Sequence, residues 1–189
     1  LDINSFQHQP YLDNQVKDRG FDLVSVGKNF VEPMGIYSKK LKSLDALKPG
    51  DSVAIPNDPT NGGRALLLLQ KQKLITLAPG AGLTAGVPDI AENPKKLKFV
   101  ELDAAQLPRA LPDVAVAAIN TNYALEADLV PTRDALAIEA ADSPYANIFV
   151  VKTKEKDAEW VKKLVEVYQT APTRDFILKT FKGAVVPAF

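Results

Sequence analysis

The residues whose types and spacing could do chemistry cluster first in Asn57-Asp58-Pro59-Thr60-Asn61-Gly62-Gly63-Arg64. Asn57, Asp58 and Asn61 can bond to nearby backbone, Pro59 sets one dihedral, and Gly62-Gly63 let the backbone come close to a ligand. A helix starting at Ala65 would add unpaired N–H groups and the positive end of its dipole, while Arg64 can grip a carboxylate through two parallel bonds. The implied chemistry is carboxylate binding. The same stretch also fits an ordinary strand-to-helix loop with a solvated arginine, and its residues alone leave both readings open.

Three rings form a second group. Phe6 and His8 fall on one side of an extended segment because side chains alternate, and Tyr11 follows one turn later, so the three can make one wall. Such a wall suits an apolar ligand, and a thioether in particular, whose sulfur is drawn to ring edges by about 0.3–1.5 kcal/mol. Core aromatics beside a hydrogen-bonded structural histidine would look the same. Two amides complete the set. Asn120 stands just past the apolar run 114–119, where open α/β sheets bind ligands. Asn147 stands at the mouth of Ile148-Phe149-Val150-Val151, and an amide carries both donors and an acceptor, so it can serve the ammonium or the carboxylate of an amino acid.

The elements that must position these residues follow from periodicity. Residues 51–56 read as a strand closed by proline and 65–72 as a helix, which places the polar turn between them. Pro10 opens a helix over 11–19 that Gly20 stops, and 21–26 alternates as a strand. A second extended run, 30–38, is interrupted by Pro33 and Gly35 and could cross between two lobes. Ser43 caps a short helical piece over 43–47. Further strands are expected at 74–77, 98–102, 114–119 and 148–151, with helices near 88–92, at 103–111 under an Asp103 cap and at 122–128. The run 114–119 is apolar on both faces, as a parallel sheet requires. Residues 142–147 are turn-rich. Two amphipathic helices close the chain, one capped by Asp157 with a stripe of Trp160, Leu164 and Val167, the other capped by Thr173 with Phe176, Ile177 and Phe181; Trp160 reads as core.

Composition narrows the function. With 189 residues and 46% apolar content the chain can build a real core as one large domain or two small lobes. Its 23 basic and 23 acidic residues cancel, so the electrostatic footprint of a nucleic-acid binder is missing. Without cysteine there is no disulfide framework, thiolate metal site or cysteine nucleophile, and the one histidine makes a histidine-based zinc site improbable. Gly80-Ala81-Gly82 lacks the third glycine of a dinucleotide fingerprint, so no cofactor is expected. No nucleophile–base pair, clustered metal ligands or phosphate cradle is visible, which argues against an enzyme. No apolar run approaches the length of a membrane span. The chain opens at Leu1 on an extended segment, and the expectation is that something upstream has been removed or omitted.

Taken together, Phe6-Gln7-His8-Gln9-Pro10-Tyr11-Leu12, Asn57-Asp58-Pro59-Thr60-Asn61, 120–124 and 144–150 resemble the methionine-binding lipoproteins (NlpA family) of bacterial ABC importers, over essentially the whole chain. The resemblance implies an α/β, two-lobed, periplasmic-binding-protein-like (type II) fold with mixed, mainly parallel sheets. It assigns 1–37 and 144–189 to lobe one and 38–143 to lobe two. It further implies that free methionine, or a close derivative, is bound between the lobes and delivered to a membrane permease with its ATPase, at the cell envelope and with a lipid anchor. By family pattern Phe6, His8 and Tyr11 border the side-chain pocket, Arg64 takes the carboxylate, and Asn120 and Asn147 hold the head group. Family members carry a signal, a lipid-bearing cysteine and an opening strand-helix-strand unit before the Phe6 stretch. Here the first lobe is therefore expected to be incomplete, with a sheet edge at which a second copy could pair. The alternative expectation is an interaction or sensing module that no longer binds an amino acid.

Overall fold

A computed structural model describes residues 1–140 and 144–189. The chain begins with β1 (Ile3–Asn4), α1 (Gln9–Arg19), β2 (Leu23–Val31), β3 (Gly35–Tyr37), β4 (Ser52–Pro56) and α2 (Pro59–Lys71). It continues through β5 (Thr76–Leu77), β6 (Ile90–Glu92), β7 (Lys98–Leu102), α3 (Leu107–Ala110), β8 (Val116–Ile119) and α4 (Thr121–Glu126). It ends with α5 (Pro131–Asp134), β9 (Ala137–Ile138), β10 (Ala146–Lys152), α6 (Glu159–Tyr168), α7 (Ala171–Phe181) and β11 (Val186–Pro187). No helix among the described residues is long and apolar enough to cross a membrane.

Contacts divide the chain into two compact units, one made of 1–32 with 140–189 and the other of 33–139. The crossings therefore fall at 32/33 and 139/140, not at 37/38 and 143/144. The first lies earlier because β3 pairs with β8 and β9 of the second unit, so 33–37 goes with that sheet. The turn-rich stretch expected at 142–147 lies partly outside the described residues, at Asp142 and Ser143.

The first unit's sheet has the order β1-β10-β2-β11, with every pair antiparallel. β10 is buried from Ala146 to Val151, and Leu12 of α1 packs on its Ile148 and Val150. The second unit's sheet has the order β7-β4-β8-β3-β9, parallel where β4 meets β7 and β8 and antiparallel where β3 meets β8 and β9. The sheets are thus of mixed orientation, and the expected parallel predominance holds only in the middle of this one. Its two faces bury different clusters. Ile36, Val53, Ile55, Val116 and Ala118 pack with Leu66, Leu68 and Leu69 of α2, while Tyr37, Ala54, Ala117 and Ile119 pack with Leu107, Leu111 and Ala124. Residues 114–119 read as continuously apolar because β8 has apolar neighbours on both faces.

Local expectations differ from the structure mainly at helix ends. Residues 44–46 form a 3-10 turn and Ser43 makes no capping bond. The segment near 88–92 is a 3-10 turn, Val87–Asp89, leading into β6. Asp103 does cap, but over the short turn Ala104–Gln106 that precedes α3. The last helices begin after Ala158 and Thr170 rather than at Asp157 and Thr173. Trp160 is 40% exposed and Phe176 63%, so neither is core; Val161 and Ile177 carry the buried positions of α6 and α7.

Candidate functional site

In the second unit residues 59–64 of the polar stretch are the first half of a helix. Asp58-Pro59 forms an N-cap followed by proline in the first turn, which starts α2 well before Ala65. Asp58 Oδ1 accepts from the backbone N–H of Asn61 at 3.0 Å and from the Thr60 hydroxyl at 3.0 Å, and the Gly62 N–H goes to the Asp58 carbonyl at 2.8 Å. The helix end expected to greet an anion is thus answered by the protein's own carboxylate. Gly62 and Gly63 also serve packing and not ligand approach. A Cβ on Gly62 would stand 2.9 Å from the Pro56 carbonyl oxygen, and one on Gly63 would stand 2.4 Å from that of Leu83. The glycines let α2 lie against β4 and the segment after β5.

Arg64 consequently sits on the second turn of α2, 4% exposed. Its Nε donates to Glu139 Oε1 and Oε2 at 3.1 and 3.0 Å, and its Nη2 donates to Oε2. Glu139 Oε2 also accepts the Met34 N–H at 3.2 Å, so the carboxylate that faces Arg64 is itself tied to backbone. A second line of bonds starts at the cap. Asp58 holds the Asn61 Nδ2 at 3.1 and 3.0 Å, and Asn61 Oδ1 accepts from Asn120 Nδ2 at 2.9 Å. Asn120 is the N-cap residue of α4, and its buried Oδ1 has no hydrogen-bond partner among the described residues.

In the first unit the expected rings do come together. Phe6 and Tyr11 meet edge to face at 6.2 Å between centroids, His8 and Tyr11 at 6.2 Å, and His8 and Tyr145 at 5.0 Å. His8 is the N-cap of α1, which begins at Gln9 with Pro10 inside its first turn; its Nδ1 accepts the Tyr11 N–H at 3.1 Å, which places a neutral ring's proton on Nε2. Phe6 is 68% exposed while His8 is 5% exposed, so the wall has an open end and an anchored end. Asn147 lies where the β10–β2 register shifts, between Ala146 opposite Val31 and Ile148 opposite Lys28, and bridges to His8. A bulge re-aims a side chain. The Asn147 Nδ2 reaches Glu32 Oε2 at 3.0 Å.

All six expected residues are therefore placed: Arg64 and Asn120 in the second unit, and Phe6, His8, Tyr11 and Asn147 in the first. Sequence reasoning missed Glu139, Glu32 and Tyr145 as neighbours of those residues. A proline-flanked aromatic two positions before Asn147 was a usable signal for Tyr145; for the two glutamates, distant in sequence from their partners, there was none. Among the described residues no group of three or more acidic or histidine side chains could hold a metal ion.

Comparison with known proteins identifies the family and the fold. The model of the NlpA lipoprotein family matches residues 1–189. The chain is 55% identical over 188 residues to a D-methionine-binding lipoprotein of Yersinia pestis, covering 98% of this chain and 69% of that protein. The corresponding protein of Escherichia coli K12 is 54% identical with the same coverage. Among solved structures, a nutrient-binding protein from Burkholderia cenocepacia bound to methionine superposes with a TM-score of 0.97 at 60% identity, over 100% of this chain and 80% of that one. An ABC-transporter periplasmic substrate-binding protein from Coxiella burnetii gives 0.95 at 50% identity, over 100% of this chain and 79% of that one. These relatives are described by what they bind and not by a reaction, and their fold is the α/β substrate-binding fold described above. The chain belongs to the NlpA lipoprotein family.

Proposed function

We propose that this chain is the substrate-binding component of an ABC importer and that its ligand is free methionine or a close derivative, passed on to a membrane permease and its ATPase at the cell envelope. The observation that carries this reading is the division of chemistry between the units. The second holds a buried guanidinium, Arg64, suited to a carboxylate, and an asparagine oxygen at Asn120 at the end of a separate line of hydrogen bonds that starts at the cap of the same helix. The first holds edge-on rings at Phe6, His8, Tyr11 and Tyr145, suited to a thioether, beside the amide of Asn147. A 60% identical protein of the same fold is bound to methionine, which supports the same assignment. Arg64 takes the ligand carboxylate, Asn120 and Asn147 the head group, and Phe6, His8 and Tyr11 the side chain.

A ligand that binds only the folded state stabilises it by RT ln(1 + [L]/Kd), or about 2.7 kcal/mol at a hundredfold excess over Kd. Millimolar L-methionine is accordingly expected to raise the melting temperature by several degrees. The absence of a shift with methionine and with every other amino acid would sink the proposal for this chain.

A further inference from the structure

An amide has two ways round, and a carboxylate chooses between them. An ionised carboxylate can only accept hydrogen bonds, so an asparagine side chain next to one must turn its Nδ2 toward it and its Oδ1 away. Glu32 stands in this relation to Asn147: Nδ2 donates to Glu32 Oε2 at 3.0 Å, and Oδ1 accepts no hydrogen bond among the described residues. Asn147 is 7% exposed and sits in the β10 bulge, so it has little room to turn by other means. The second unit repeats the device independently. Asp58 holds Asn61 Nδ2, which turns Asn61 Oδ1 to Asn120 Nδ2 and leaves Asn120 Oδ1 buried with no hydrogen-bond partner among the described residues.

We propose that Glu32 is a positioning residue that sets the polarity of Asn147, presenting an acceptor oxygen and so selecting ligands that carry a hydrogen-bond donor there, the ammonium of an α-amino acid, over otherwise identical ligands that carry an acceptor. The inference rests on the amino-acid-binding reading given above. Glu32 acts through Asn147, and its removal frees the amide to donate as well as accept. The matching pair of probes is L-methionine and its α-keto analogue, which keeps the carboxylate and the thioether and replaces the ammonium with a carbonyl oxygen.

The test is isothermal titration of both compounds into the wild-type protein, Glu32→Ala, Asn147→Ala and the double variant, with melting curves to establish folding. The ratio of the keto-acid Kd to the methionine Kd is expected to fall at least about tenfold in Glu32→Ala, the scale of one oriented hydrogen bond to a charged group, with the keto acid binding more tightly in absolute terms. General damage to the fold would weaken both compounds and could not produce that gain. In the Asn147→Ala background, Glu32→Ala is expected to leave the ratio unchanged. Should Glu32→Ala fail to fold, Glu32→Gln reads the same ratio, because a glutamine can donate as well as accept and no longer dictates the direction of Asn147; a severalfold fall is expected. An unchanged ratio in the folded Glu32 variant, or an equal change with Asn147 removed, overturns the inference while the binding function stands. Wild-type protein that binds neither compound overturns both.

Discussion

In the second unit Arg64 is 4% exposed and bonded through Nε and Nη2 to a carboxylate that a backbone N–H also holds, whereas in the first Phe6 is 68% exposed and meets Tyr11 ring to ring at 6.2 Å. The contrast is one of directional against non-directional contacts. A buried guanidinium on a helix, anchored by Glu139, keeps one geometry and suits a group of fixed shape such as a carboxylate. Edge-on rings keep most of their attraction over a range of positions and suit a flexible thioether chain. The supporting structure follows the same division, with the second unit's sheet packed on both faces and a small Leu12, Ile148, Val150 cluster beneath α1 in the first.

The contrast can be broken by substitution. Glu139→Ala should have the largest effect, about 3–5 kcal/mol of stability, the usual cost of truncating one member of a buried ion pair, because it removes the carboxylate that Arg64 Nε and Nη2 and the Met34 N–H all bond. Urea unfolding measures it, and a loss below about 1 kcal/mol would mean that the second unit is not held by this pair. Gly63→Ala comes next, at about 1–3 kcal/mol, since its Cβ would stand 2.4 Å from a backbone oxygen that cannot swing aside. In the first unit His8→Ala should cost only about 1 kcal/mol, the usual worth of an N-cap, while weakening methionine binding through loss of the ring. A stability loss as large as that of Glu139→Ala would erase the proposed difference between the units.

The smallest expected effect is at Tyr37. Its hydroxyl is buried with no hydrogen-bond partner among the described residues, and burial first, then the nearby Asp134 charge, pushes its pKa well above the ordinary value. A raised folded-state pKa means that the unfolded chain loses its proton first, so the stability held below about pH 10 is lost as pH rises beyond it. Tyr37→Phe should change stability at neutral pH by less than about 1 kcal/mol, in either direction, because no bond is lost. It should also remove this residue's share of the alkaline loss. Melting curves at pH 8 and at pH 10.5 for both proteins check the sign.

Much of the fold was legible because its signals are local. The apolar run of β8, the proline-closed β4 and the glycine stop after α1 mark elements whose neighbours in sequence decide their conformation. The start of α2 was misplaced because the glycines looked like a loop. A helix tolerates them when backbone packs closely around it, as Pro56 and Leu83 do here, and that packing is non-local. The terminal helices were misread for a related reason: amphipathic spacing marks a face but does not say which part of it another element covers, and Trp160 and Phe176 were left exposed.

The sequence by itself determined which side chains are the candidates for the proposed chemistry, since Arg64, Asn120, Asn147 and the three rings stand out by residue type and by the stretches that hold them. Only the tertiary structure decided how each is held. Glu139 is tied to Arg64 across 75 residues, Glu32 to Asn147 across 115, and Asp58 reaches Asn120 only through Asn61. Hydrogen bonds of this kind depend on side-chain positions to within a few tenths of an ångström, and only the folded chain sets positions that finely.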